Sequence, residues 1–444
     1  VPGLRVAART STATFEGKAA RPRDVGRALG VETVLLGRVR RANDQLRVFA
    51  QLVRASDDSV IWTETYPAAL TDVFGVQDRL ARAIVATLRV SLAGGTVDAT
   101  TARAPRGTED MDAYDFFLKG RFYAARLGLG TIRAIEFYQQ AIERDPNFAR
   151  AHAELASVFF ALAQFSDEAP DSLLRFGWES VRRALAMDPS LASARIAEAS
   201  GLRAEWQFDS AEQAVRAVLT REPENTTARN LLAVVLGVSR PPEQALAEAQ
   251  RVLESDPLSV STLITFQYWS VVARLYRDAI ATTPRILDLD STSVFALQNL
   301  GLAYAFLGLA DSAVIAFEKA YRLRPDMLGA GAFLAFAYAA AGRWRDAERT
   351  RDTERRRGGG TSPDFSEMVL ALAFGENAAA FSALERGVTR HEPLFLTVSL
   401  GCDPMFDPLK SDPRFGRLMR GIGVEVCPAS GGWPIVRSRA SRGP

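Results

Sequence analysis

The sequence predicts a mainly α-helical protein, a solenoid of about eight helix–turn–helix pairs preceded by a small α/β domain. Three observations carry this. Pro189, Pro223 and Pro257 recur at 34-residue steps, Pro325 falls two steps further on, and Ser291 stands at the intervening position. Proline lacks a backbone N–H and clashes with the carbonyl one turn back, so each marks a helix end. Residues 1–92 lack this period and instead show short alternating stretches of strand character. Finally, 444 residues are many for one compact core, so two or more units are expected.

Composition narrows the class. Apolar residues make up 48% of the chain and charged residues 24%, values of a folded soluble protein. Net charge is +2, from 54 basic and 52 acidic residues, so no nucleic-acid partner is expected. Lys18, Lys119, Lys319 and Lys410 are the only lysines; the arginine bias is read as genome composition rather than as anion binding. Cys402, Cys427, His152 and His391 are the only cysteines and histidines, and their spacing fits no zinc pattern. No metal or cofactor is expected, and whether the two cysteines are joined is left open. Apolar stretches such as 329–341 fall short of the ~20 residues that span a bilayer, so this chain carries no expected transmembrane segment. It begins at Val1 and reads as a piece of a longer protein; its compartment is left open.

In the first unit, Leu4–Thr10 reads as a strand and Arg23–Gly30 as a short helix ended by glycine. Three strands follow, Val31–Arg41, Gln45–Ala55 and Ser59–Leu70, with turns at Asn43-Asp44 and Asp57-Asp58. Leu46, Val48, Ala50 and Leu52 alternate to one side of the second. Asp72–Leu92 reads as an amphipathic helix, with Val73, Val76, Leu80, Ile84 and Leu88 at helical spacing. The blocks VPGLRVAARTST, DVGRALGVETVLLGRVRRANDQLRV and LTDVFGVQDRLARAIVATL resemble the TolB amino-terminal/FlgO-like domain. Members usually open with a strand of the VAVLPF type and a helix, absent here, so the resemblance implies a partial domain with an exposed edge or apolar face.

Residues 93–110 are small, polar and Gly/Pro-containing, and read as a linker. The repeats then run over 111–390. Residues 294–327 carry Leu297, Leu300, Gly301, Tyr304, Ala313, Phe317, Ala320 and Pro325. Small Gly301 and Ala313 suit the closest helix crossing, Tyr304 and Phe317 fill space between helices, and Pro325 ends the second helix. This set resembles the tetratricopeptide repeat (TPR). Weaker repeats keep register, including Tyr138 and Pro146 in 115–148 and Tyr338 and Ala347 in 328–361. The repeat from Ala149 is longer by nine residues, placed at the Ser166–Pro170 turn. Pro284 predicts a kink or late start in its helix. A shorter pair over 365–390 is broken at Gly375. Residues 391–424 suit a cap in which Met405, Phe406, Leu409, Phe415 and Leu418 cover the last repeat. Residues 425–444 are expected to be disordered.

No catalytic constellation is apparent: no P-loop, GxSxG, HExxH or kinase signature occurs. His152 is read as a packing residue and His391 as a charge at a helix end. The Arg run of 349–357 is read as a solvated loop. The functional surface is then the concave groove that TPR proteins line with the first helix of each pair. The resemblance places Tyr123, Asn230, Ile264, Tyr268, Phe295, Gln298, Phe306 and Phe336 there. Lys119 lacks the Asn partners of a carboxylate clamp, and the later groove is apolar and aromatic. It suits an apolar peptide, an amphipathic helix or another part of the same chain. Packing within a tightly coiled superhelix is the other reading of these residues. The expected function is a non-catalytic scaffold binding a protein or peptide. The resemblance also implies a second reading, the regulatory carboxy-terminal region of a larger bacterial Ser/Thr kinase, adenylate cyclase or winged-helix regulator.

Overall fold

A computed structural model describes residues 6–7, 9–18, 20–43, 45–69, 75–76, 79–80, 83–84, 87, 107–124, 129–165, 170–327, 329–358 and 362–429. The chain divides into two compact units, 1–106 with 253–259, and 107–252 with 260–444.

In the first unit, α1 (Arg9–Ala13) and α2 (Pro22–Leu29) precede β1 (Thr33–Ala42), β2 (Gln45–Arg54) and β3 (Val60–Ala69). The strands form an antiparallel sheet in the order β1-β2-β3. Pro22 opens α2, where a missing N–H costs nothing. Gly30 closes it at φ 65°, a conformation free of Cβ strain only for glycine. Ala50 and Tyr66 share one sheet face with Val76 and Leu80, while Val25 and Leu29 of α2 pack with Val34 and Ala55. Of the strand expected over Leu4–Thr10, the described residues are not in a strand: Val6 and Ala7 are irregular and Arg9 and Thr10 open α1; its other residues lie outside the described set. A strand needs a neighbour to pair its backbone, and among the described residues β1 and β3 have none on their outer edges. Leu35 and Val39 on the edge strand β1 are 45% and 63% exposed. Of the helix expected over Asp72–Leu92, the described residues are helical; its other residues, and 93–106 of the expected linker, lie outside the described residues.

The second unit is a stack of helix pairs, eight among the described residues. They are α3 (Met111–Ala124) with α4 (Leu129–Arg144), α5 (Ala149–Phe165) with α6 (Pro170–Met187), and α7 (Ala192–Ala204) with α8 (Phe208–Arg221). Next come α9 (Thr226–Ser239) with α10 (Pro242–Ser255), α11 (Val260–Val272) with α12 (Tyr276–Leu289), and α13 (Val294–Phe306) with α14 (Ala310–Leu323). The last are α15 (Ala330–Ala340) with α16 (Trp344–Arg357), and α17 (Pro363–Ala373) with α18 (Asn377–Thr389). Pro146, Pro189, Pro223, Pro257 and Pro325 each stand two residues beyond the end of a second helix. The TPR-like solenoid expected from their spacing is the fold observed. At Gly301 a Cβ would lie 2.5 Å from the Phe317 ring, so the crossing of α13 and α14 requires glycine.

Several local expectations need correction. The extra length of the second pair goes largely into its helices, 17 and 18 residues long; residues 166–169 lie outside the described set. Helix α12 starts at Tyr276 and continues through Pro284, so there is no late start. Burial of Ala279, Thr283 and Ile286 on its opposite side outweighs the missing hydrogen bond. The Arg run lies on α16, not in a loop. Its members pair along and between helices: Arg349 with Asp346, Arg351 with Glu376, Arg355 with Glu367 and Arg357 with Glu354. Asp110, read as linker, accepts the Ala113 N–H at 2.8 Å and so joins the start of α3.

After α18 the chain makes two 3₁₀ turns, Pro393–Thr397 and Pro404–Leu409, then α19 (Pro413–Gly421). Phe395 meets Phe365 of α17 edge-on at 5.2 Å, and Arg414 lies 4.2 Å over Phe381 of α18. Met405, Phe406, Leu409 and Phe415 are fully buried there. Glu425–Ala429 are described rather than disordered: Glu425 N–H donates to Ser239 at 2.9 Å, and Cys402 and Cys427 form a disulfide. Residues 430–444 lie outside the described set. No helix among the described residues is long and apolar enough to cross a membrane.

Candidate partner-binding groove

The eight candidate residues fall into different environments. Tyr123, on α3, is half-buried and stacks on Phe137 at 5.4 Å. Phe116 stacks on the same ring at 6.4 Å, and Lys119 Nζ lies 5.3 Å over Phe116. Arg133 donates to the Tyr123 hydroxyl at 3.2 Å. Together these residues make a cation-edged aromatic platform on the first helix pair. Lys119 pairs with Asp115 at 2.6 Å. Asn230, on α9, is half-buried, and its Oδ1 accepts no hydrogen bond. Ile264 and Tyr268 on α11 and Phe295 on α13 are likewise half-buried.

Gln298, Phe306 and Phe336 are not available to a partner in this conformation. They are 8%, 8% and 1% exposed and belong to the packed interior. Helices α13 and α15 are apolar on all sides, VFALQNLGLAYAF and AGAFLAFAYAA, and a helix without a polar face is buried all round. That composition was the signal that these positions pack. His152 is buried as expected, with Nε2 3.1 Å from the Pro146 carbonyl, and burial lowers its pKa. His391 does more than sit at a helix end: its ring stacks on Trp206 at 5.1 Å.

The chain's own carboxy-terminal segment makes contact with α7, α9 and α11. The Tyr268 hydroxyl donates to Asp403 Oδ2 at 2.6 Å and accepts the Ser399 N–H at 3.1 Å. Arg274, just beyond α11, donates to Asp407 at 2.9 Å. Arg203 of α7 donates to the Leu396 carbonyl at 3.4 Å and to Gln164 at 2.7 Å. Arg240 reaches Glu425 at 3.3 Å. Burial raises the Asp403 carboxyl, opposed by the Tyr268 and Met405 hydrogen bonds and the Lys410 charge. Burial and the Asp403 charge raise Tyr268 in turn. Burial pulls Arg203 down to about 10. Lys410 Nζ stands 2.8 Å from Asp407, with both side chains nearly sealed from solvent. Helical periodicity could not reveal this closure.

No group of three His, Cys, Asp or Glu side chains among the described residues could hold a metal ion. Buried Asp364 pairs with Arg386 and Arg390, Asp407 with Arg274 and Lys410, and Glu392 with the amides that start α17, contacts that fix position.

Residues 296–327 match the tetratricopeptide repeat family. The fold is that of a TPR-type helical-repeat protein. Over 176 residues, 39% of this chain, the sequence is 36% identical to "Putative adenylate cyclase 3" of Rhizobium meliloti (strain 1021), and the match spans 30% of that protein. Among solved structures, YrrB, described as a TPR protein with an unusual peptide-binding site, is 20% identical; 43% of this chain covers 93% of it with a TM-score of 0.31. PilF of Pseudomonas aeruginosa is 21% identical, with coverage of 49% and 94% and a TM-score of 0.36. The human IFIT1 dimer with m7Gppp-AAAA is 16% identical, with coverage of 72% and 77% and a TM-score of 0.46.

Proposed function

We propose that the chain is a non-catalytic protein-interaction scaffold that receives a protein or peptide segment on the first-helix faces of its array. The observation that carries this is the platform of Tyr123, Phe116 and Phe137 edged by Lys119. The polar contacts of Leu396, Ser399, Asp403 and Glu425 fall on α7, α9 and α11, away from this first pair. Rigid aromatic rings with a cation at their edge offer large contact area at low entropic cost. Tyr123→Ala in the full chain should reduce capture of partners at least tenfold, read by quantitative affinity capture against wild type. Unchanged capture of every partner would sink the platform as the binding surface.

A second reading is favoured by the partial identity to the bacterial cyclase: the chain acts as a regulatory region within a larger signalling protein. The three-stranded sheet with helices on both faces supports a TolB amino-terminal/FlgO-like domain. The coding region upstream of Val1 tests this. A kinase, cyclase or winged-helix segment there supports the reading, and a start codon at that point removes it.

A further inference from the structure

The carboxy-terminal segment is held on both sides. Toward α17 and α18, Phe395 packs on Phe365 and lies against Gly387 of α18, while Glu392 accepts the N–H groups of Asp364 and Phe365. Toward α9 and α11, Cys402 shares an apolar cluster with Leu236, Trp269 and Val272, and a set of polar contacts surrounds it. Asp403 meets Tyr268, Asp407 meets Arg274, the Ser399 N–H meets Tyr268, and the Leu396 carbonyl meets Arg203. Tyr268 thus reads a carboxylate and a backbone amide of one segment, while Arg274 reads a second carboxylate four residues on. This is how a groove recognises a peptide.

The fit is incomplete. Arg203 Nε, on the groove side of this contact, is buried without a hydrogen-bond partner. Buried donors are normally satisfied, so a segment that met it would match the groove better than the chain's own does.

We propose that the inner face of α7 to α11 is a recognition site for Asp-Pro segments bearing two carboxylates four residues apart. Its resident occupant, Ser399–Leu409, is a tethered ligand that an acidic partner segment of the same spacing displaces. The proposal rests on the groove reading above and adds the partner's chemistry and a self-occupied, closed state. A displacing segment that carries the same two carboxylates restores the buried hydrogen bonds of Tyr268 and Arg274, which water alone would not do without loss. Occupancy of the site is then a competition between a tethered and a free segment, and tethering gives the resident a high effective concentration.

The test uses the full chain and, as probe, a fluorescent synthetic peptide of residues 399–412 with serine in place of Cys402. Asp403→Asn combined with Asp407→Asn weakens the resident segment while leaving Tyr268 and Arg274 intact. The double variant should bind the probe at least tenfold more tightly than wild type in fluorescence anisotropy. A probe carrying asparagine at both aspartate positions should not bind. Hydrogen exchange should show residues 399–409 opening in the variant before the helices of the array. If 399–409 opens yet the probe does not bind, the proposal is overturned, and the α3 platform stands or falls separately with Tyr123→Ala. If 399–409 exchanges only with global unfolding in both proteins, the segment is fixed core and the proposal is overturned as well. Should the double variant not fold, Asp403→Asn alone keeps an acceptor for the Met405 N–H and gives the same comparison.

Discussion

Tyr268 and Asp403 lie 135 positions apart in the sequence and are joined by a 2.6 Å hydrogen bond. Asp403 is fully buried, and a buried carboxylate without donors is costly. Here the Tyr268 hydroxyl and the Met405 N–H supply them. The same hydroxyl accepts the Ser399 N–H, so one oxygen ties α11 to both a side chain and the backbone of the returning segment.

Tyr268→Phe should therefore lower stability by more than a lost surface contact would. It removes a donor to a buried carboxylate and an acceptor for a buried amide. The expected loss is about 1–3 kcal/mol, measured by denaturant unfolding. A change near zero would mean that water replaces the hydroxyl without cost.

Glu392 links stability to pH. It accepts the N–H groups of Asp364 and Phe365 at 3.1 and 3.0 Å at the start of α17. Burial, assisted by the neighbouring Asp364 charge, pushes its carboxyl from 4.5 up to about 7. The folded state then holds this proton more tightly than the unfolded chain does. The associated stabilisation is complete below the unfolded value and fades as pH rises through about 7. Unfolding midpoints between pH 5 and 8, a window set by this shift, should fall with rising pH, and Glu392→Gln should flatten that slope. An unchanged slope in the variant would assign the effect to another group.

The Cys402–Cys427 disulfide closes a loop with a separation of 25 residues. Loop-closure entropy for that length corresponds to about 3.5 kcal/mol. Cys402→Ser with Cys427→Ser should lower unfolding free energy by about this amount, and reductant should shift the melting of wild type but not of the variant. Wild type indifferent to reductant would show that the link does not constrain the unfolded chain.

Two glycines should respond in opposite directions to alanine. At Gly301 the new Cβ meets the buried Phe317 ring at 2.5 Å, so overpacking wins and about 1–3 kcal/mol is lost. At Gly416, within α19, the only close atom is Arg420 Nη1 at 3.4 Å, the mobile end of a side chain. There the helix preference of alanine should add up to about 1 kcal/mol. Thermal unfolding of the two variants distinguishes these outcomes.

The sequence alone carried the repeat register. Pro146, Pro189, Pro223, Pro257 and Pro325 mark helix ends because proline's constraint is local, acting on its own turn whatever surrounds it. Gly301 and Phe317 were legible for a related reason: a small residue opposite a large one repeats with the helix pair. Pro284 shows the limit of that logic, since burial of Thr283 and Ile286 keeps α12 continuous across a residue that locally argues against helix. The face shown to a partner was decided only by the tertiary structure. Phe306 and Phe336 sit at groove positions by register, yet they are sealed inside the array. Tyr268 likewise faces the groove by register but meets Asp403 of its own chain. Contacts between residues more than a hundred positions apart leave no periodic trace, because they depend on how eight helix pairs coil and bring the chain's end back upon its middle.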